Sequence, residues 1–133
     1  MRFALGRFEQ LDVTAFDRYY SGIEHHRSVE LYVKLAGLFL KNFEPKLKEL
    51  TDALKNKQTH EARVIAHRLK GSLLSLGGNE LAKVFFEVEQ GLAEEKAQDY
   101  ASLIHQKQNE LQQFLSELSV WMETLEASVK STS

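Results

Sequence analysis

The sequence predicts an all-α protein: an antiparallel up-down four-helix bundle with a short extra N-terminal helix. Three observations carry that prediction. Apolar residues recur every three or four positions almost from end to end, the period of a helix and not of a strand. One proline and seven scattered glycines are too few breakers for the many turns of a β-fold. The stretches between periodic segments are short, which favours antiparallel neighbours. A chain of 133 residues suits one domain, 1–133, with the bundle core over about 28–125. A domain of this size buries roughly two-thirds of its unfolded surface.

The first helix is expected over about 13–21, with Asp12 as its N-cap and Gly22 as its stop. A long helix follows over about 28–55. Its apolar stripe is Tyr32, Leu35, Phe39, Phe43, Leu47, Leu50 and Leu54, and Pro45 is expected to kink or divide it because proline lacks the amide donor. Asn56, Lys57 and Gln58 form a polar turn. Thr59 is expected to cap a helix over about 59–76 that stops at Gly77-Gly78, and Asn79 to cap the next, over about 79–95, burying Leu81, Val84, Phe85, Val88 and Leu92. A last helix over about 98–125 carries Leu103, Ile104, Leu111, Phe114, Leu118, Trp121, Met122 and Leu125 inward. The tail over 127–133 is expected to fray.

Composition narrows the function. A net charge of −2 leaves no electrostatic footprint for nucleic acid. The absence of cysteine excludes disulfides and thiolate metal sites and fits a reducing compartment, so a cytoplasmic protein is expected. No apolar run approaches the ~18–20 residues of a membrane span. Arg2 is not followed by a long apolar stretch or a small-residue cleavage site, so no secretory signal is read. No Walker-type or GxGxxG glycine loop offers a nucleotide site, and no HExxH motif offers a metal site. His25 and His26 are adjacent, expected in a loop or at an N-cap, and on a helix they would point about 100° apart. His60 and His67 lie two turns apart, too far to share a metal. Ser72 is expected toward the core edge, its hydroxyl bonded back one turn, so it forms no pair with His67.

The run Ala66-His67-Arg68-Leu69-Lys70-Gly71-Ser72 is the most informative segment. At about 100° per residue, Ala62, Ile65, Leu73 and Leu76 fall within about 40° of Leu69 and complete a core stripe. His67 lies about 160° away, on the solvent side, with His60, Val64, Gly71 and Leu74, while Arg63 and Lys70 flank it at about 100–120°. A glycine inside a helix costs about 0.5–1 kcal/mol relative to alanine. Its place beside an exposed imidazole implies that the imidazole must stay uncovered. Single exposed apolar residues need no explanation, but Val64 and Leu74 around a histidine and a glycine read as a docking patch. His60, Arg63, His67, Arg68 and Lys70 face only Glu61 in this window, so a phosphate or an acidic partner surface would be attracted. Folding the chain about Gly77-Gly78 sets His67 level with Val88 and Glu89. Glu89 could then accept from one imidazole nitrogen and leave the other free; Gln90 is a second candidate, and a solvated carboxylate is the ordinary alternative for Glu89.

The segment from Ala66 to Leu81, AHRLKGSLLSLGGNEL, resembles the signature of histidine-containing phosphotransfer (HPt) domains of bacterial phosphorelays. The matching positions are His67, Leu69, Lys70, Gly71, Ser72, Leu76, Gly77 and Leu81. Glu89 falls where the family commonly carries Glu or Gln, and the helix order and the aromatic-rich preceding helix with Phe39 and Phe43 are similar. Leu73 and Leu74 stand where smaller residues are frequent, Gly78 where alanine is, and Val88 where leucine is. Dimerisation domains of histidine kinases also carry a bundle histidine, but they follow it with an acidic residue and then a proline; here Arg68 follows and no proline does.

The resemblance implies that His67 accepts a phosphoryl group from the aspartyl phosphate of a receiver domain and passes it to another response-regulator aspartate. Lys70 would stabilise the phosphate, Gly71 would give access, and Glu89 would orient the imidazole. His60, Arg63, Val64, Arg68 and Leu74 would meet the partner. The implied partners are receiver domains of a hybrid sensor kinase and of a response regulator, bound by a monomer without nucleic acid or membrane. No cofactor and no ATP site are implied, and Mg2+ would sit on the receiver. The competing reading is a non-catalytic helical adaptor that binds partners through the Val64, His67 and Leu74 face.

Overall fold

Helical periodicity is realised throughout: the computed structural model describes residues 8–20 and 24–130, and these form six helices and no strand. They are α1 (Thr14–Tyr20), α2 (His25–Lys55), α3 (Thr59–Leu76), α4 (Asn79–Ala93), α5 (Tyr100–Gln106) and α6 (Gln108–Lys130). The expected stop at Gly22, and Arg2, lie outside the described residues.

Asp12 caps α1, its carboxylate accepting from the Thr14 amide at 3.0 Å. The same residue ties α1 to the turn between α3 and α4. Its amide donates to the Gly77 carbonyl at 2.7 Å, and its other carboxylate oxygen accepts from the Asn79 side chain at 2.8 Å. The expectation that Asn79 caps α4 does not hold: Asn79 is the first residue of α4 and spends its side chain on Asp12, and Gly78 holds the cap position. Gln58, not Thr59, holds the corresponding position before α3, without a side-chain bond. Phe16 of α1 meets Tyr20 and Tyr32 at ring-centroid distances of 5.5 and 5.6 Å, which seats α1 on the N-terminal part of α2.

The α2 helix is one piece of 31 residues, about 47 Å long at 1.5 Å per residue. Glu24 caps it, accepting from the amides of His26 at 3.0 Å and Arg27 at 3.3 Å. These bonds, the His26 amide first, hold the Glu24 carboxyl below its ordinary range. His25 and His26 thus lie in the first helical turn and not in a loop. Pro45 does not divide the helix. The position is exposed, so the Lys41 carbonyl left without its amide partner lies on the solvent side. Tyr32, Phe39, Phe43, Leu47 and Leu50 are buried as expected, whereas Leu35 stays exposed and Leu54 is half-buried.

Gly77 ends α3 in the left-handed conformation, φ 102°. Its amide and that of Gly78 both return to the Leu73 carbonyl, at 3.0 and 2.7 Å. A side chain at Gly77 would run into the Asp12 carbonyl oxygen. Glycine is required here twice over, by the positive φ and by the close approach of the segment before α1. The turn sends α4 back along α3, the most extensive helix contact in the molecule. Tyr32 reaches across from α2 and donates its hydroxyl to the Leu76 carbonyl at 2.7 Å; burial raises the phenol's pKa.

The last expected helix is two. The Lys107 amide bonds one residue nearer than helical spacing, to the Ile104 carbonyl at 3.0 Å, and separates α5 from α6. Tyr100 and Ile104 of α5 enter the core, as do Leu111, Phe114, Leu118, Trp121 and Leu125 of α6. Phe114 meets Phe39 edge-on at 6.0 Å, joining α6 to α2. Residues 127–130, where fraying was expected, continue α6. One buried carboxylate stands beside this stripe. Glu117 accepts the amides of Glu9 at 3.1 Å, Gln10 at 2.9 Å and Leu11 at 2.9 Å, pinning the segment before α1 onto α6.

Candidate functional site

The α3 helix turns its buried edge, Ala62, Ile65, Ala66, Leu69, Leu73 and Leu76, into the bundle. That edge leaves His67 on the outer face with a side chain 63% exposed. The α4 helix runs alongside, and Val88 in its buried stripe places Glu89 next to the imidazole. His67 Nδ1 and Glu89 Oε2 are 2.9 Å apart. The other Glu89 oxygen accepts from Lys70 Nζ at 3.0 Å. One carboxylate therefore bridges an imidazole and an ammonium group, and neither Lys70 nor Glu89 is more than a fifth exposed.

Charge fixes the direction of these bonds. Partial burial works against the ionised Glu89 carboxyl, but the bonds from Lys70 and His67 outweigh it and hold its pKa below the usual range. Ionised, the carboxylate can only accept, so His67 Nδ1 must carry the proton. The lone pair of the neutral ring is then on Nε2, at the exposed end of a ring held by its other nitrogen. The cluster can thus present an oriented nucleophilic nitrogen to a docked electrophile.

Gly71 is one turn beyond His67 on the same face, and a β-carbon there would meet nothing within 4 Å. Its bareness therefore has no cause inside the domain. His60, Arg63, Val64, His67, Arg68 and Glu89 line a shallow hollow of about 230 Å³. Leu74 is not part of it: it is half-buried against the core. Ser72, expected toward the core edge, is exposed. Ser75 is the residue that bonds back, to the Ser72 carbonyl at 3.0 Å. Ser72 lies on an open groove of about 450 Å³ between α2 and α3, whose walls include Leu35, Leu38, Val64, Arg68 and Ser72. The groove and the histidine hollow share Val64 and Arg68.

Sequence reasoning missed two parts of this surface. The sequence places Leu35 in the buried stripe of the long helix and says nothing of Leu38, because helical period alone does not say which turns of a stripe are covered by a neighbour. Phe86 is 48% exposed and lies beneath the Lys70 ammonium, 5.2 Å from its ring centroid. An aromatic outside the apolar stripe of α4, three residues before Glu89, is the signal that could have found it.

Residues 34–127, most of the chain, match the Hpt domain family. The chain belongs to that family, whose role is histidine phosphotransfer in two-component phosphorelays. No curated protein and no solved structure matches the chain.

Proposed function

We propose that His67 is the phosphorylated residue and that the chain is a phosphorelay intermediate, taking a phosphoryl group from a receiver aspartyl phosphate and handing it to a second receiver. The observation that carries this reading is the Glu89 carboxylate on His67 Nδ1 at 2.9 Å, which leaves Nε2 as the nucleophile on the exposed face. In the forward step the Nε2 lone pair attacks phosphorus. The bond from phosphorus to the aspartyl oxygen breaks, and the aspartate leaves as carboxylate. The ring keeps its Nδ1 proton and becomes cationic, and Glu89 opposes that charge. Glu89 therefore favours the charged product while fixing the tautomer that attacks. Lys70 supplies a further positive charge near the phosphoryl oxygens, and Gly71 leaves room for the receiver's own active site. Mg2+ belongs to the receiver, and no ATP site is called for in this chain.

In the same reading α2, α3, α4 and α6 are the four bundle helices, antiparallel in sequence, with α1 and α5 accessory. Receiver domains of a hybrid sensor kinase and of a response regulator dock over His60, Arg63, Val64 and Arg68, with Leu74 at the margin. The domain acts as a monomer in the cytoplasm; no helix of the described residues is long and apolar enough to cross a membrane.

The test is transfer from receiver domains charged with acetyl phosphate. Wild type should acquire acid-labile, alkali-stable phosphate, and His67→Gln should acquire none while keeping its helical circular dichroism. Phosphate retained by His67→Gln sinks the assignment. Receiver binding without any phosphohistidine would instead support an adaptor.

A further inference from the structure

Phe86 is a large apolar side chain, half exposed, on a helix whose buried stripe is complete without it. It stands three residues before Glu89 on α4, so the two share a face. Between them lies one group, the Lys70 ammonium, 5.2 Å from the ring centroid on one side and 3.0 Å from Glu89 Oε1 on the other. Lysine has a long, flexible stem, and an unheld one samples many rotamers in water. This one is only 19% exposed in its side chain. A cation over an aromatic face within about 6 Å is held electrostatically by the ring quadrupole.

We propose that Phe86 is a positioning residue: its ring face holds the Lys70 ammonium against Glu89 Oε1, which leaves Glu89 Oε2 for His67 Nδ1. The proposal rests on His67 as the phosphoacceptor for its consequence, though not for its geometry. The chain of action is short. Without the ring, Lys70 swings into solvent. Glu89 is then free to turn, and the imidazole loses the single carboxylate oxygen that fixes its Nδ1 proton. Phe86 touches no reacting atom. It acts on the reaction only through Lys70 and Glu89.

The test uses Phe86→Leu, which keeps apolar bulk and removes the π-face, and Phe86→Tyr, which restores it. Nuclear magnetic resonance of the unphosphorylated chain should show the Lys70 ammonium resonance protected from exchange with water by its bond to Glu89 in wild type and Phe86→Tyr, and lost to rapid exchange in Phe86→Leu. Imidazole 15N shifts should show less Nδ1-protonated His67 in Phe86→Leu. Chemical phosphorylation with phosphoramidate, in which the phosphorus–nitrogen bond breaks, ammonia leaves and Nε2 bonds to phosphorus, should slow about two- to five-fold in Phe86→Leu, the size of one exposed cation–π contact. It should recover in Phe86→Tyr. In a Lys70→Ala background, Phe86→Leu should add nothing. An unchanged Lys70 resonance in Phe86→Leu, or an undiminished effect of Phe86→Leu without Lys70, overturns the proposal. Failure of His67 to be phosphorylated in wild type would defeat the phosphotransfer reading, while the two resonance measurements would still decide the role of Phe86.

Discussion

Gly71 has open space where a β-carbon would stand, on the same face as a 63%-exposed histidine. Nothing inside the domain requires glycine there, and its φ is not positive. Gly71→Ala should therefore raise stability by about 0.5–1 kcal/mol, the helix-propensity difference, in a urea melt. Gly71→Gln should leave helicity intact and stop transfer from a phosphorylated receiver, because its side chain would project beside His67. Undiminished transfer in Gly71→Gln would show that the glycine serves some other purpose. The His67–Glu89 pairing was legible in the sequence because a two-residue turn sets the register of two antiparallel helices. The sharing of that carboxylate with Lys70 was not. Lys70 and Glu89 come from different helices, and which lysine rotamer is occupied depends on Phe86, a contact no spacing rule contains.

The α3 helix divides into a buried face that holds the fold and an exposed face proposed to meet partners, and the two should separate energetically. Leu69 is 5% exposed and Leu73 is fully buried. Leu69→Ala should cost about 2–5 kcal/mol of unfolding free energy. Val64→Ala, at a half-buried position on the rim of the histidine hollow, should cost about 1 kcal/mol and weaken receiver binding instead. Equal losses for Leu69 and Val64 in denaturant melts would mean that the helix is faced wrongly. The two apolar residues among the expected docking positions are not equivalent, since Leu74 packs on the core and Val64 lines the hollow. Element by element, a helix was readable wherever its apolar period was long. Its ends were less so: Thr59 and Asn79 had the right chemistry to cap, but Gln58 and Gly78 hold those positions, and Asn79 was drawn to Asp12 by a contact 67 residues away in sequence.

Across the whole molecule, the segment before α1 is fastened at two points, by Glu117 to α6 and by Asp12 to the turn at Gly77. Glu117 is 8% exposed and takes amides from three consecutive residues. Glu117→Ala would leave those donors without a partner, the Leu11 amide among them in a buried site. It should lower stability by about 2–4 kcal/mol and open residues 8–12 to limited proteolysis, while α3 and α4 keep their His67–Glu89 contact. Wild-type stability and protease resistance in that variant would show that the anchor lies elsewhere, in the packing of Leu11 or of Phe8 on Trp121. By itself the sequence determined the helical class, the order of the long helices, the stop at Gly77 and the solvent-facing placement of His67. Each of these is set locally, by 3.6-residue periodicity, glycine's conformational freedom and short turns. Only the tertiary structure decided that α2 passes unbroken through Pro45, that Leu35 and Leu38 border an open groove, that Glu117 secures the N-terminal segment, and that Lys70 lies between Phe86 and Glu89. Those features depend on the distances and angles between helices, and these are settled by how many side chains pack at once and not by the pattern along any one of them.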